Sequence, residues 1–338
     1  MDIQQDISLK NYNTFGIDAK AKFFCDINSI EGLQEILKVQ DYPPFFVLGG
    51  GSNMLITKNL ENLVLYINLQ GIEVIWENTN EVCIKVNAGE NWHQMVLWTL
   101  DQNYGGLENL SLIPGNTGTA PIQNIGAYGV ELRDTFVSCE AMEIGTQNLK
   151  TFTKEECQFG YRDSYFKNEG LGKYIITSVN FKLSKRNHHL NIGYGAIVSE
   201  LQNCGITDPS IKDVSNAVIT IRKSKLPDPK ELGNSGSFFK NPVIGRAEFD
   251  KFTKVYPDAP FYKVSENEFK IPAGWLIEQC GYKGKRFGDA GVHRNQALVL
   301  VNYGNATGKE IIELAENIMD GVLKRFGIRI TPEVNIIK

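Results

Sequence analysis

A single serine, Ser237, stands in the stretch GNSGSFFKNP, where Lys240 and Asn241 follow two phenylalanines. Gly, Asn and Ser favour a turn, whereas a Phe-Phe pair favours a buried segment. From these residues alone the role of the hydroxyl stays open: it caps the turn, or it takes part in chemistry that other residues must supply. A nucleophilic role is disfavoured, because no G-x-S-x-G pattern surrounds Ser237.

Two further charged residues could take part in chemistry. Arg162 lies in GYRDSYF beside Asp163, and Glu333 lies in TPEVNII. Taken alone, Arg162 is typical of a surface ion pair that contributes little stability. Glu333 alternates with the apolar residues Val334 and Ile336, as on the solvent face of a strand. From these residues alone, a surface role is favoured for both Arg162 and Glu333.

The stretch LGGGSN, residues 48–53, follows the apolar run Phe45–Leu48. Glycines allow backbone N–H groups to face an anion, and serine and asparagine add side-chain donors. The pattern fits neither the Rossmann fingerprint nor the P-loop, and no helix is predicted directly after it. It therefore indicates either a tight turn between strands or a cradle for a pyrophosphate.

A second glycine-rich stretch, IPGNTGTAPIQNIGAYGVE, is long and nearly uncharged. A surface loop of this length is uncommon unless it is functional. Close approach of its backbone to a large, flat, polar cofactor would explain both the glycines and the missing charge. The alternative is an ordered loop that packs on itself.

The predicted elements that must position these residues mix helices and strands without a strict βαβ alternation, which favours an α+β fold. Strands are expected over 45–48, 63–67, 82–86, 175–183 and 296–301, with an extended segment over 328–337. Helices are expected after Ser29 and Asn91 and over 273–280. The capping box Thr307-x-x-Glu310 opens the clearest helix, and Gly327 ends it. Pro227 and Pro229 indicate a domain boundary.

Chain length, net charge and cysteine content exclude several classes of protein. A chain of 338 residues predicts two or three domains. A net charge of −4 argues against a nucleic-acid surface. The first residues lack the pattern of a signal peptide, and no apolar run suits a membrane span. The six cysteines are dispersed, which favours a reducing cytoplasm. No metal site is expected, because the pair His188-His189 has no companion ligand at suitable spacing.

A set of motifs occurs in one order along nearly the whole chain. Together they resemble the UDP-N-acetylenolpyruvoylglucosamine reductases, flavoenzymes of bacterial cell-wall synthesis. The motifs are NTFG (13–16), LGGGSNML, AGENWH, GLENLSLIPGNTGTAPIQNIGAYGVEL, FGYRDSYFK, KLPDPK, GSFFKNP, AGWLIEQCGYKG, VHRNQALVLVN and TPEV. Each motif is weak alone, whereas the ordered set is specific.

The resemblance implies a two-lobed FAD-binding domain similar to that of the vanillyl-alcohol-oxidase-like flavoenzymes, and a smaller α+β substrate-binding domain. Carried onto this chain, the first FAD lobe comprises residues 1–70 with 331–338. The second lobe comprises residues 71–226, and the UDP-sugar domain comprises residues 227–330.

The same resemblance implies reduction of the enolpyruvyl ether of UDP-N-acetylglucosamine-enolpyruvate, with NADPH as the donor. Ser237 then matches the proton donor, while Arg162 and Glu333 match the residues that stabilise the charge at the reacting carbon. The FAD contacts carried over are Gly49, Gly50, Gly51, Ser52, Asn53, Pro114, Gly115, Gly118, Thr119, Gln123, Asn124, Gly126, Ala127 and Tyr128.

The nucleotide-sugar contacts implied by the resemblance include a tyrosine on a loop over the substrate, a feature of one subtype of the family. They are Tyr194, Lys225, Lys240, Asn241, Tyr262, Lys283 and Gln296. For each lysine, a solvated surface role is the alternative. The expected protein is a cytoplasmic monomer that binds neither nucleic acid nor membrane.

Two other functions compete with this one. An FAD oxidase of a small alcohol would share the glycine loops but has no need of GSFFKNP or Arg162. A non-catalytic nucleotide-binding protein would tolerate replacement of Ser237, Arg162 and Glu333, so the joint presence of these three residues argues against it.

Overall fold

The computed structural model describes residues 2–338 and divides into two compact units. The first unit comprises the chain up to Ile7, Ala21–Gly50 and Glu61–Ser224. The second unit comprises Ser8–Lys20, Gly51–Leu60 and Lys225–Lys338. The predicted mixture of helices and strands is confirmed, whereas the three-part division into two FAD lobes and a sugar domain stays a prediction.

One sheet of the first unit has four strands, and the short strand after the Pro43-Pro44 turn pairs in parallel with its neighbour. Their order is Ile3–Ser8, Lys20–Ile27, Leu60–Ile67, Phe45–Leu48. The helix Ile30–Ile36 begins at Ser29, whose Oγ accepts the Gly32 N–H at 3.0 Å. This is the predicted N-cap, and it is confirmed because such a cap depends only on neighbours along the chain.

The other large sheet of this unit is antiparallel. Its five strands are, in order, Leu149–Thr153, Phe136–Glu143, Tyr174–Ser184, Glu81–Asn87 and Ile72–Glu77. The helix Trp92–Asp101 is capped by Asn91, as expected, and buries Trp92 in the core of the sheet. The remaining helices, Gly195–Asn203 and Ile211–Lys225, share a smaller apolar cluster.

The long glycine-rich stretch of the first unit is ordered by short turns. It contains the 3-10 turns Thr117–Thr119 and Pro121–Gln123 and the hairpin strands Gly126–Ala127 and Val130–Glu131, and the 3-10 turns Glu108–Leu110 and Leu132–Asp134 flank it. A further 3-10 turn, Tyr165–Lys167, follows Arg162. Internal hydrogen bonds therefore define the path of this stretch.

The second unit is built from short strands around three helices. The parallel pair is Met54–Ile56 with Asn335–Ile337, and a 3-10 turn spans Lys10–Tyr12. Two three-stranded sheets, each given in order, are Val243–Gly245, Glu268–Lys270, Tyr262–Lys263 and Arg286–Phe287, Ala290–Val292, Leu300–Asn302. The helices are Arg246–Val255, Ala273–Gln279 and Gly308–Phe326. No helix among residues 2–338 is long and apolar enough to cross a membrane.

Two predicted strands of the second unit are shorter than expected. The strand predicted over 296–301 covers only Leu300–Asn302, because Val299 N–H donates to Gln296 and closes a turn there. The segment predicted over 328–337 forms a strand only at Asn335–Ile337. Apolar residues in both segments are buried without ladder pairing, so periodicity alone overestimates strand length.

The capping box of the helix Gly308–Phe326 is confirmed and yields a stability prediction. Thr307 Oγ1 accepts the Glu310 N–H at 3.2 Å, and Glu310 Oε2 accepts the Thr307 N–H at 2.7 Å. We expect Thr307→Ala to lower the free energy of unfolding by about 1 kcal/mol, because it leaves helix donors without a partner. Urea unfolding measures this change. The control Lys309→Ala removes only the exposed pair with Glu313 at 3.8 Å and should change stability less; equal effects would contradict the prediction.

Candidate active site

Ser237 lies at the start of an extended segment in the second unit. Gly236 before it has a φ of +67°, which turns the chain into the segment. The next residue, Phe238, donates its N–H to the Leu298 carbonyl at 2.7 Å and accepts the Glu333 N–H at 2.8 Å. Phe238 and Phe239 are fully buried, whereas Ser237 is partly exposed. The two phenylalanine side chains thus anchor the segment that presents the serine hydroxyl.

The chain terminus runs alongside this segment. Lys240 donates its N–H to the Thr331 carbonyl at 2.9 Å, and Phe239 forms an isolated β-bridge with Pro332. The backbone hydrogen bond from Glu333 to Phe238 therefore joins the segment of Ser237 to that of Glu333, although the two segments are far apart in sequence. The structure brings these two predicted residues together within the second unit. Arg162 belongs to the first unit.

The NTFG motif supports the serine segment through buried asparagines that sequence reasoning passed over. Asn302 donates from Nδ2 to the Phe15 carbonyl at 2.9 Å, and its N–H donates to the Gly233 carbonyl at 2.8 Å. A Cβ on Gly233 would lie 2.2 Å from the Phe15 oxygen, so only glycine fits there. The sequence signal for Asn302 and Gly233 was their position inside motifs. Their partners could not be predicted, because those partners are distant in sequence.

The predicted nucleotide-sugar residues of the second unit differ in their surroundings. Asn241 Oδ1 accepts the Ala273 N–H at 2.9 Å at the start of the helix Ala273–Gln279. Gln296 reaches the same helix end, since its Oε1 would lie 3.3 Å from a Cβ on Gly274. Both amide side chains therefore lie at the start of this helix.

The remaining predicted substrate residues of this unit lie on its surface. Lys283 forms an ion pair with Glu278 at 2.8 Å, which is the surface role left open for the lysines. Lys225, Lys240 and Tyr262 are exposed. The resemblance therefore groups residues whose side chains have different surroundings in the folded chain.

Arg162 is held by backbone oxygens of the first unit. Its Nη2 donates to the Gly126 carbonyl at 2.6 Å, and Lys167 Nζ donates to the Arg162 carbonyl at 2.9 Å. The guanidinium carbon lies 5.6 Å from the centre of the Tyr161 ring. Arg162 has a φ of +55°, a region that bulky residues rarely adopt. Such strained positions cluster at ligand-binding sites, where the surrounding structure holds them in place.

Tyr128 and Tyr194 pack against each other in the first unit. Their rings meet edge to face with centroids 5.4 Å apart, and Tyr194 is half exposed at the N-terminus of the helix Gly195–Asn203. Tyr128 has a φ of +50°, and its carbonyl accepts the Asn109 side-chain amide at 3.0 Å. Burial raises the pKa of the Tyr128 hydroxyl, although the nearby Arg222 opposes this shift. The hydroxyl is therefore a neutral donor near pH 7.

The two glycine-rich stretches of the first unit pack against each other. A Cβ on Gly50 would lie 2.7 Å from the Gly115 Cα and 2.8 Å from the Asn116 nitrogen. A Cβ on Gly49 would lie 2.5 Å from Thr119 Cγ2. The glycines therefore permit backbone-to-backbone contact between the loops. These contacts join the two loops, which differs from the alternative in which the second loop packs only on itself.

Acidic groups are nearly absent from the two loops. LGGGSN contains no carboxylate, and the one carboxylate of IPGNTGTAPIQNIGAYGVE, Glu131, pairs with Arg133 at 2.8 Å. One predicted contact, Asn124, is already engaged: its Nδ2 donates to Glu131 and to the Gly160 carbonyl, and its Oδ1 accepts the Arg133 N–H. Asn124 therefore shapes the loop.

A substitution that adds one methyl group at Gly50 tests the packing between the two loops. We expect Gly50→Ala to reduce the fraction of purified protein that retains FAD and to lower stability by about 1–3 kcal/mol, because the new Cβ overlaps the Gly115 backbone. The absorbance of bound flavin per protein reports the first effect, and thermal unfolding reports the second. Gly145→Ala is the matched control, since nothing lies within 4 Å of its Cβ. Full flavin occupancy in Gly50→Ala would contradict the prediction.

Comparisons with known proteins bear on the whole chain. Residues 228–337 match the family model of the UDP-N-acetylenolpyruvoylglucosamine reductase C-terminal domain, and residues 22–148 match that of an FAD binding domain. The UDP-N-acetylenolpyruvoylglucosamine reductase of Flavobacterium johnsoniae is 61% identical over 337 residues, covering 100% of both chains. The enzyme of the same name from Pseudomonas fluorescens is 46% identical over 338 residues, covering 99% of both.

A solved structure shares the fold. The UDP-N-acetylenolpyruvylglucosamine reductase from Thermus caldophilus covers 100% of both chains with a TM-score of 0.69 and 24% sequence identity. At this level of sequence identity the match shows a shared fold alone. The curated sequences, in contrast, are similar enough over their full length to define a family.

Proposed function

Because this chain belongs to the UDP-N-acetylenolpyruvoylglucosamine reductase family of FAD-dependent oxidoreductases, we propose how its own residues carry out the reduction. The substrate is the enolpyruvyl ether of UDP-N-acetylglucosamine, and the electron donor is NADPH. The observation that carries the proposal is the backbone hydrogen bond between Phe238 and Glu333, which places Ser237 and Glu333 on adjacent segments.

FAD, when bound and reduced, supplies a hydride to the methylene carbon of the enolpyruvyl group. Negative charge then develops on the neighbouring carbon and spreads into the carboxylate. Ser237 donates its hydroxyl proton to that carbon. A serine is a weak acid, but a carbanion is a strong base, so the transfer is feasible. Burial of Phe238 and Phe239 limits water near the hydroxyl and so strengthens local electrostatics.

Arg162 and Glu333 complete the proposed chemistry. The Arg162 guanidinium stabilises the developing carboxylate charge, since its planar fork matches a carboxylate. Its hydrogen bond to the Gly126 carbonyl holds the side chain in a defined direction before substrate binds. Glu333 orients a water molecule or Arg162, or acts as an acid in protonated form.

The nucleotide sugar is bound in this proposal by the residues that match the family's substrate contacts. Asn241 and Gln296, at the start of the helix Ala273–Gln279, and the exposed Lys225 and Lys240 bind the diphosphate or sugar. Tyr262 stacks on or bonds to the nucleotide, and Lys283 exchanges its Glu278 partner for a phosphate. Tyr194, half exposed beside Tyr128, covers the substrate.

FAD is proposed to lie on the paired glycine loops. Backbone N–H groups of the two loops bind its diphosphate, and the hydroxyl and amide side chains contact its remaining polar groups. The residues in question are Gly49, Gly50, Gly51, Ser52, Asn53, Pro114, Gly115, Gly118, Thr119, Gln123, Gly126, Ala127 and Tyr128. A monomeric state and a cytoplasmic location are also part of the proposal, and the dispersed cysteines support the latter.

The visible spectrum of the purified protein under anaerobic conditions tests the donor and acceptor together. We expect a flavin spectrum that bleaches with NADPH and returns when the enolpyruvyl UDP-sugar is added. Repeating the reduction with NADH tests the choice of donor. A flavin that NADPH reduces but the sugar does not reoxidise would overturn the proposed acceptor and point to another FAD oxidoreductase.

A further inference from the structure

The hairpin of residues 126–131 has a tyrosine at its tip. Its turn consists of Tyr128 and Gly129 alone, since the flanking residues pair directly. Both turn residues have a positive φ, +50° and +82°, as in a type I′ turn. Asn-Gly or Asp-Gly is typical of such turns, because a bulky residue is strained at a positive φ. A strained residue that the surrounding structure holds in place indicates a function for its side chain.

The Tyr128 ring packs against the segment that carries Tyr194. The two rings meet edge to face, with centroids 5.4 Å apart and ring planes at 85°. Leu190 and Ile192, from the same segment as Tyr194, pack with Tyr128 on the apolar cluster of the two helices that follow. Tyr194 itself is 52% exposed. The hairpin therefore supports one side of a ring that solvent still reaches.

One buried amide joins the hairpin to the Tyr194 segment. Asn109, 1% exposed, donates from Nδ2 to the Tyr128 carbonyl at 3.0 Å and to the Asn191 carbonyl at 2.8 Å. A further bond runs between the same two segments, since Asn191 Nδ2 donates to the Gly129 carbonyl at 3.1 Å. These bonds connect the tip of the hairpin to the chain just before Tyr194.

The orientation of the Asn109 amide is fixed by its surroundings. The reverse orientation would place Oδ1 against two carbonyl oxygens and lose both hydrogen bonds. In the observed orientation Oδ1 is buried and has no hydrogen-bond partner among residues 2–338, which costs stability. Both N–H groups of this side chain are therefore used to join the two segments, even though its oxygen has no protein donor.

We propose that Asn109 is a positioning residue that holds Tyr194 ready to cover the sugar nucleotide before this ligand binds. The inference rests on the proposed function, because that function supplies the ligand. A side chain that is already fixed in its binding position loses less conformational freedom when the ligand arrives, so the affinity rises. Asn109 acts through the Tyr128 and Asn191 carbonyls, and Tyr194 makes the contact with the ligand.

The test is a double-mutant cycle on the affinity for UDP-N-acetylmuramate, the product of the proposed reaction. Its dissociation constant with the oxidised, FAD-loaded protein is measured by calorimetry. We expect Asn109→Ala to raise this constant about 10-fold, because the Tyr194 segment is no longer held. In the Tyr194→Ala background the same substitution should change the constant by less than about twofold, since the side chain that Asn109 positions is already absent.

Asn180→Ala is the matched control from the same unit. Asn180 also has a buried Oδ1 without a partner among residues 2–338, and its Nδ2 donates to Ser138 Oγ at 2.9 Å on the five-stranded sheet. Its substitution should lower the temperature of thermal unfolding and leave the dissociation constant within about twofold of wild type.

A milder variant keeps the test independent of folding. Asn191→Ala removes the side-chain bond to the Gly129 carbonyl and keeps both bonds of Asn109. It should raise the dissociation constant about threefold, and this effect should also vanish in the Tyr194→Ala background. Asn191→Ala takes the place of Asn109→Ala in the cycle if the latter variant does not fold.

Three results would overturn the role of Asn109. Asn109→Ala could bind the ligand as tightly as the wild type. It could weaken binding equally with and without Tyr194, which would assign Asn109 to folding or to another contact. Asn180→Ala could weaken binding as much as Asn109→Ala, which would indicate a general loss of stability.

Failure of this inference is distinguishable from failure of the proposed function. Unchanged affinity in Tyr194→Ala would refute both this inference and the cover proposed for Tyr194, while a wild-type flavin that the enolpyruvyl UDP-sugar reoxidises would still support the function. A wild-type protein that neither binds UDP-N-acetylmuramate nor is reoxidised by the enolpyruvyl sugar would overturn the function, and the role of Asn109 with it.

Discussion

Ser237→Ala should slow the return of the flavin spectrum after addition of the enolpyruvyl UDP-sugar by about two to four orders of magnitude. The carbon next to the carboxylate would then lack its positioned acid, and protonation would depend on solvent. Reduction by NADPH does not use that proton, so it should proceed at the wild-type rate. Stopped-flow measurement of the two half-reactions separates these expectations.

The loop around Ser237 offers a matched control. Ser235 is buried two residues earlier, and its Oγ donates to the Met54 carbonyl at 3.2 Å. Ser235→Ala should lower stability by about 1 kcal/mol through loss of this bond and leave both half-reactions within severalfold of wild type. Wild-type reoxidation in Ser237→Ala would remove the serine from the mechanism. Equal slowing in both variants would indicate a distorted loop.

Arg162→Lys should lower the rate of reoxidation by about two to three orders of magnitude, an effect similar to loss of one oxyanion-hole donor. In the proposed mechanism the Arg162 guanidinium contacts the substrate carboxylate, while its Nη2 donates to the Gly126 carbonyl. A lysine has a single nitrogen and cannot keep both contacts in the same geometry. Lysine is also unbranched at Cβ, so the backbone strain at a φ of +55° should stay similar.

The same measurement on Arg133→Lys controls for a general effect of this substitution. Arg133 belongs to the same unit and forms an exposed ion pair with Glu131 at 2.8 Å. Such pairs contribute little, so this variant should show wild-type kinetics. If Arg162→Lys reoxidises as fast as Arg133→Lys, Arg162 has no part in stabilising the developing charge.

Features with local causes were predictable from the sequence. Ser29, Asn91 and Thr307 begin helices because each accepts a hydrogen bond from an N–H three residues later. Gly327 ends the last helix with a φ of +70°, as expected for a glycine at that position. The strand over 296–301 was wrong by several residues, since a turn at Gln296 competes with the ladder. Apolar residues mark burial, and burial does not require a strand.

The ordered motifs were also sufficient to identify the family and the FAD-binding domain, because a long series of matches specifies an ancestry that no single motif does. They could not reveal the surroundings of Arg222. Within its stretch IRKSK nothing in the composition distinguishes it from Lys223. The hydrogen bond from its Nε to the Leu112 carbonyl is a property of the folded first unit.

The sequence by itself determined the helix caps, the glycine-rich loops, the reductase family and the identity of Ser237 and Glu333 as candidates. Only the tertiary structure decided that the Phe238 carbonyl accepts the Glu333 N–H and that Gly50 lies against Gly115. The physical reason is the range of the interactions. A cap joins residues a turn apart, whereas these contacts join segments whose meeting depends on how every intervening element packs.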